Sequence, residues 1–534
     1  MANKLKRKKT PFYLLLILTL LVAVFLRFYN FNLNSIEYWG DQGWDLIVAR
    51  NILFYNLRPL VGPVLWVHNF YTPPTYYYLL ALFLFIGKSI TGTALLFQFI
   101  NILSLVVLFL LIRELFDNWA GLAGALLFAV SREMVYQSRV MWQPHLLTLF
   151  ILLALYFLVL AFKKRKMLLL WISYTLYFIA LSVYPSPVIL VPYFVWQLVR
   201  FRKKLQDAKS IRHFKITLIA CLVSFILIYS PQIYFEFQNK FPTLKTFIVP
   251  KTEDLAKPTE ASRLSIYLEN MQKLFGSFYR IDNITSPSKS ATTFLTIIFF
   301  VLLFFALKNI KRLPAKLAKK YEFSSQIIAI PLLILGSFSF LWFKMDAHAH
   351  RSSAYMPFMF IIFAFLFRLA FDTKNAYYKA SVTILLLVTI VANLRYVWRY
   401  INYSPRWFPT TLQVADYIIS DINKRNLNAT ETITYLISPG DFYGTDLYPI
   451  LYFLQERINY PVKFVDIGND VDRSALRFSK KPILYLICQD YKSDKDAREL
   501  CLYRFIEVNP AYRPIAYEVL NFRFKIFKLK LVEG

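Results

Sequence analysis

Residues 1–28 read MANKLKRKKT PFYLLLILTLLVAVFLRF, a basic head followed by an apolar run whose single charge is Arg27. As a helix the run from Pro11 to Phe28 rises about 27 Å, close to the depth of a bilayer's hydrocarbon. A cleaved secretory leader has a shorter apolar core and a small-residue cleavage site. Neither is found here, so the stretch reads as an uncleaved first membrane span. Working outward, comparable runs recur at 90–112, 119–134, 143–162, 167–183, 186–200, 214–231, 291–308, 323–343, 353–371 and 378–396. The fold predicted is a polytopic α-helical membrane protein of about eleven transmembrane helices.

Composition agrees. The chain has 534 residues, 57% hydrophobic and 18% aromatic, with 51 Phe and 36 Tyr against 13 Gly. A soluble protein of this length would divide into several domains with more polar surface. The formal charge of +30 would point to nucleic acid in a soluble chain. Here the basic residues gather in NKLKRKK, KKRK (163–166), RFRKK (200–204) and KNIKRLPAKLAKK (308–320), each between apolar runs. That is the positive-inside pattern, which sets orientation and suits anionic lipid headgroups, so no nucleic-acid partner is expected. Eleven spans with a cytoplasmic N-terminus put the C-terminus outside and all these clusters inside. The predicted location is the cytoplasmic membrane, crossed many times, with membrane lipids as partners.

Three segments then lie outside. Residues 29–89 carry an acidic motif, and their TPPTYYYLLALFLFIG is apolar but short and Pro-led, suited to the interface. Residues 232–290 form a second outer loop. Residues 400–534 lose apolar density, and TTLQVADYIISDIN reads as a helix, with TITYLIS, PILYLICQ and YEVLNFRFKIFKL as strands. The expected division is a membrane region over 1–399 and a small extracytoplasmic α/β domain over 400–534. Cys221 falls inside an apolar run; Cys488 and Cys501 form either a disulfide or two free thiols.

The outer motif is EYWGDQGWDLIVARNIL, 37–53. If DQGWDLIVARNIL is helical, Asp41 is the N-cap and Asp45 lies one turn on along the same face. Trp44, Ile47, Val48 and Ile52 form the apolar stripe opposite. A helix N-terminus favours an ionised Asp41, able to take a proton from a hydroxyl. Taken in isolation, the pair is better explained as a cap and a solvated acid. The remaining outer connections add weight to the chemical reading. SRVMWQPHLL supplies Arg139, Trp142, Gln143 and His145; FKMDAHAHRSSAYMPF supplies Lys344, Asp346, His348, His350, Arg351 and Tyr355. VLWVHNFYTPP adds His68 and Tyr71, VYPSP adds Tyr184, and PQIYFEFQNKF adds Glu236 and Gln238. Singly, each has a structural explanation: snorkelling for Arg351 and Lys344, capping for His145. Gathered at one face, polar residues at membrane depth point to function. The His348-x-His350 pair has ligand spacing, and Asp41 or Asp45 offers oxygens, which leaves a divalent metal open; a fixed third ligand is not evident. A phosphate-binding loop, a dinucleotide fingerprint and a Ser-nucleophile motif are all missing from the sequence.

The order GDQGWDLIVARNIL, FYTPPTYYYLLALFLFIG, YQSRVMWQPHLL, PQIYFEFQNKF and HRSSAYMPFMF resembles the family 39 lipid-linked glycosyltransferases of the C-type fold. That family includes protein O-mannosyltransferases and the transferase that adds aminoarabinose to lipid A. The resemblance covers roughly residues 11 to 400. It implies a polyprenyl-phosphate sugar as donor, attack by an acceptor hydroxyl with inversion, and departure of the lipid phosphate. It assigns the base to Asp41, with Gln42 where a second acid often stands, so Asp45 either replaces that acid in part or positions the acceptor. For the phosphate, Arg351 comes first and Arg139 second, with Lys344 and His350 behind them. His68, Tyr71, Tyr184, Glu236, Trp142, His145 and Tyr355 are the expected substrate-binding residues. A polymerase or ligase of lipid-diphosphate glycans would share this face. A lipid-sugar transporter would need repeated halves and charges at mid-membrane, and neither is evident.

Overall fold

A computed structural model of the chain describes residues 2–32, 35–36, 40–64, 70–248, 289–310, 354, 356–373, 375–402, 407–424, 432–438, 450, 452–454, 462–466, 482–489, 502, 505–506, 510–520 and 524–532. The helices in order are α1 (Ala2–Phe28), α2 (Gly40–Phe54), α3 (Thr75–Gly87), α4 (Ile90–Leu115), α5 (Asn118–Val130), α6 (Arg132–Arg139), α7 (Gln143–Lys164) and α8 (Met167–Val183). After a 3-10 turn at Ser186–Leu190 follow α9 (Val191–Lys203), α10 (Ala208–Gln238), α11 (Pro242–Ile248), α12 (Lys289–Ile310), α13 (Met356–Asp372), α14 (Ala376–Ile401) and α15 (Trp407–Lys424). Among the described residues, five helices are long and apolar enough to cross a membrane: α1 from Pro11, α4, α7, α10 and α14. α3, α5 and α8 are apolar but shorter, as is Phe294–Ala306 within α12. The expected span at 323–343 lies outside the described residues.

Two expected spans are broken. The run 119–134 ends as α5 at Val130, because Ser131 caps a new helix and Arg132 and Glu133 leave the apolar pattern. The run 186–200 opens as a 3-10 turn, since Pro185, Pro187 and Pro192 remove amide donors that an α-helix needs. α3 has 13 residues, about 20 Å of rise, too short to span and in line with an interfacial segment. It meets α4 at a tight corner. A Cβ on Gly92 would stand 2.0 Å from the Gly87 carbonyl oxygen, so only glycine permits that approach.

The helices segregate by environment as a bilayer requires. α13 buries every residue from Met356 to Leu366 and runs through the interior. α10 buries Phe214, Thr217 and Cys221 while Ile219, Leu222 and Leu227 stay exposed, a surface suited to lipid rather than water. One end of the helical unit is basic. Lys163 of α7 pairs with Glu114 of α4 at 2.9 Å, and Arg368 of α13 bridges Asp117, the cap of α5, and Asp372. Arg200 and Lys204 lie over the Phe162 ring at 5.6 and 5.0 Å, so two basic clusters distant in sequence converge there.

The C-terminal residues form a five-stranded sheet in the order β2-β1-β3-β5-β4: β1 (Thr432–Ser438), β2 (Val462–Asp466), β3 (Ile483–Gln489), β4 (Tyr512–Leu520) and β5 (Phe524–Leu531). β2, β1 and β3 are parallel; β5 runs antiparallel to β3 and β4 to β5. The stretch predicted as one strand, YEVLNFRFKIFKL, is parts of β4 and β5, which pair with one another; a single strand that long exceeds usual lengths. The chain forms two compact units. The first comprises 1–31, 58–79 and 87–403; the second comprises 32–57, 80–86 and 404–534. The acidic segment 37–53 falls within the second unit.

Candidate active site

α2 starts at Gly40, so Asp41 sits in its first turn rather than at the cap; glycine takes helical angles readily, and one residue moves the boundary. The two acids also part company. Asp41 and Trp44 are exposed, whereas Gln42 and Asp45 are 3% exposed. Five successive residues, Asp45 to Ala49, are buried. At 100° each they pass all the way round the helix, so its middle is enclosed on every side rather than along one stripe. Asp41 thus offers an accessible carboxyl at the helix start. Desolvation raises its pKa above the ordinary carboxylate value. That opposes the helix-terminus effect and makes the ionised form a better proton acceptor.

In the first unit, α6 and the turn after it assemble a cationic, aromatic cluster. α6 has eight residues, and side chains hold its first N–H groups. The Asn393 side-chain oxygen accepts the Arg132 N–H at 2.9 Å, and the Ser131 hydroxyl accepts the Met134 N–H at 3.5 Å. Both its guanidiniums lie over the Tyr400 ring, Arg132 at 5.8 Å and Arg139 at 5.9 Å. Arg139 also donates from Nη2 to the Tyr29 carbonyl at 2.5 Å and lies over Phe31 at 5.9 Å. Tyr136 stands edge-on to His145 at 5.6 Å and to Tyr400 at 5.8 Å, and Trp142 edge-on to His145 at 5.7 Å. The structure therefore brings Arg139, Trp142 and His145 together, with Arg139 1% and His145 4% exposed.

Other expected residues are held by structure. Glu236 accepts the N–H groups of Thr243 at 3.3 Å and Leu244 at 3.5 Å, at the start of α11. Tyr71 donates its N–H to the Thr243 hydroxyl, its carbonyl accepts from Gln232 at 2.8 Å, and its ring meets Phe235 at 5.0 Å. Tyr184 closes α8, its N–H bonded to the Ala180 carbonyl. His68, Lys344, Asp346, His348, His350, Arg351 and Tyr355 lie outside the described residues, as does Cys501. Among the described residues no three His, Cys, Asp or Glu side chains could hold a metal.

Sequence reading passed over Arg27, Glu133 and Arg132. Arg27 is fully buried and bonds Asn101 Oδ1 at 2.8 Å and the carbonyls of Ala23, Ala129 and Phe128. Glu133 is 1% exposed; its Oε1 accepts from Gln137, whose Oε1 accepts from the Thr148 hydroxyl. An arginine inside an apolar run was the available signal.

Residues 71–234 match the family described as dolichyl-phosphate-mannose-protein mannosyltransferase. Among solved structures, ArnT from Cupriavidus metallidurans bound to undecaprenyl phosphate aligns over 96% of this chain and 97% of its own, at 12% identity and a TM-score of 0.57. The Archaeoglobus fulgidus oligosaccharyltransferase in complex with zinc and sulfate aligns over 96% of this chain and 72% of its own, at 14% identity and a TM-score of 0.51. No curated protein matches the sequence significantly. The resemblance to the C-type membrane glycosyltransferases is thus borne out, and the shared fold is that of a multi-pass membrane protein.

Proposed function

We propose that this chain is an integral-membrane, inverting glycosyltransferase that moves a sugar from a polyprenyl-phosphate donor to an acceptor hydroxyl on the outer face of the membrane. The observation that carries the reading is the match of residues 71–234 to a family of lipid-phosphate sugar transferases. The alignment over almost the whole chain with a structure bound to undecaprenyl phosphate supports it.

In this reading Asp41 accepts the proton as the acceptor oxygen attacks the anomeric carbon. The bond from that carbon to the phosphate oxygen breaks, and its electron pair leaves with the lipid phosphate. Arg351, with Arg139, offsets the charge that develops there; a forked guanidinium matches phosphate oxygens. Lys344 and His350 add positive charge. Asp45, enclosed within α2, positions rather than touches the acceptor.

The test is a reconstituted assay. Purified protein in lipid nanodiscs receives polyprenyl-phosphate sugars, and release of polyprenyl phosphate is measured beside mass spectrometry of the membrane lipids and glycans of cells with and without the chain. Release that depends on the protein and vanishes in Asp41→Asn is the expected result. Turnover of lipid-diphosphate glycans alone would favour a polymerase or ligase. Movement of intact donor across sealed vesicles without sugar transfer would favour a transporter.

A further inference from the structure

The turn that joins α6 to α7 is Val140-Met141-Trp142, with Arg139 on one side and Trp142 as the N-terminal cap residue of α7. Trp142 has no side chain able to cap, and Pro144 has no N–H to be capped. The turn is held from outside instead. The Val140 carbonyl accepts the Trp142 N–H at 2.9 Å and His145 Nδ1–H at 2.8 Å. The neighbouring Met141 carbonyl accepts the hydroxyl of Tyr76 at 3.2 Å. Tyr76 is 0% exposed, Val140 and Met141 1%, and His145 4%. A carbonyl can only accept, so the bond fixes the proton of neutral His145 on Nδ1. Nε2 is buried and has no hydrogen-bond partner among the described residues. Tyr76 of TPPTYYY, 65 residues away, thus bonds the Met141 carbonyl of SRVMWQPH, beside the Val140 carbonyl that His145 holds.

We infer that His145 and Tyr76 are positioning residues. They clamp the Val140–Met141 turn, and through it they set where the half-buried Trp142 indole stands for the lipid donor. The inference rests on the glycosyl-transfer reading. It moves His145 from substrate contact to support, because its free nitrogen is enclosed and its bonded nitrogen serves the backbone. Loss of either bond lets the turn relax, which weakens donor binding more than it slows the bond-breaking step.

The test separates the two ring nitrogens. Asn carries its amide nitrogen where His has Nδ1; Gln carries it near the place of Nε2. His145→Asn keeps the bond to Val140, and KM for the lipid donor stays within about threefold of wild type. His145→Gln and Tyr76→Phe lose their bonds, and KM rises at least about tenfold while kcat changes by less than about threefold. A His145→Gln protein that fails to fold while His145→Asn folds also supports the clamp, and Tyr76→Phe then supplies the KM reading. The inference is overturned if Gln serves as well as or better than Asn, or if Tyr76→Phe leaves KM unaltered. A wild-type protein that turns over no polyprenyl-phosphate sugar defeats the functional reading instead, and the two failures are distinct.

Discussion

Arg27 donates from Nε to Asn101 Oδ1 at 2.8 Å, deep within the helical unit, and its other partners are carbonyls. Two of them, Phe128 and Ala129, belong to the last turn of α5, whose carbonyls have no partner inside the helix. The guanidinium therefore stands at a helix C-terminus, where the macrodipole favours a cation. Its fork spans Asn101 on one side and α5 on the other, which a point-like ammonium cannot reproduce. Asn101→Leu is expected to cost about 1.5–3 kcal/mol, the value of a hydrogen bond to a charged group. Arg27→Lys should lose a comparable amount, and Arg27→Met more, since the Ala129 carbonyl then loses its guanidinium donor and Phe128 keeps only the Ser131 N–H. Thermal unfolding of the purified protein in detergent checks the order; an unshifted midpoint in Asn101→Leu would remove the role given to this pair.

Asp41 has a pKa raised by desolvation, and it acts as a base only when ionised. The rate should therefore fall as pH drops through a value above about 3.9, the ordinary aspartate figure. Asp41→Asn should lower kcat by about 10²–10⁴-fold, the usual contribution of a general base. The same shift has a stability sign. A carboxyl whose folded pKa is raised weakens the fold as pH rises through that pKa. Replacing it by a neutral amide should therefore leave the midpoint of unfolding at neutral pH unchanged or higher. An acid limb at or below about pH 4, or a variant both inactive and unfolded, counts against this account.

How much of this was legible beforehand depended on the range of the forces involved. The long helices were, because an uncharged run the length of a bilayer has few other uses: α1, α4, α7, α10 and α14 fall where the apolar runs do. The break at Ser131 had a local signal in Ser131, Arg132 and Glu133, but the Asn393 side chain that supports the new helix lies 261 residues away. Asp41 could be picked out as a candidate from the sequence; its difference in exposure from Asp45 could not, because the rotation of α2 is fixed by what encloses it. Arg27 was visible as a charge within a span, but its partner is 74 residues on.

Glu236 gives a prediction that separates architecture from chemistry. Its carboxylate accepts the N–H groups of Thr243 and Leu244, and the backbone just before them is in the left-handed region at Lys240 and Phe241. A carboxylate at a helix start is favoured by both the bonds and the dipole. Glu236→Ala should cost about 1–2 kcal/mol, and Glu236→Gln, which keeps one acceptor oxygen, less than about 1 kcal/mol. Activity of the Gln variant should stay within a few-fold of wild type. A large loss of turnover in a protein with an unaltered melting point would return Glu236 to the substrate.

The sheet supplies the last prediction. Tyr485 of β3 and Lys528 of β5 are paired across the strands, and Asp421 of α15 reaches both: it accepts the Tyr485 hydroxyl at 2.5 Å and forms an ion pair with Lys528. The partners are not equivalent. The Lys528 side chain is 2% exposed and that of Asp421 is 18% exposed, so water can reach the acid but not the ammonium. Removing the acid strands a buried charge, for which about 3–5 kcal/mol is typical. Removing the lysine leaves a carboxylate that can hydrate and still bond to Tyr485. Asp421→Ala should accordingly destabilise the sheet more than Lys528→Met. Hydrogen exchange on the full-length protein reads this locally: amides of β3 and β5 should exchange faster in Asp421→Ala than in Lys528→Met, and the opposite order would mean that the ammonium is better solvated than its burial implies.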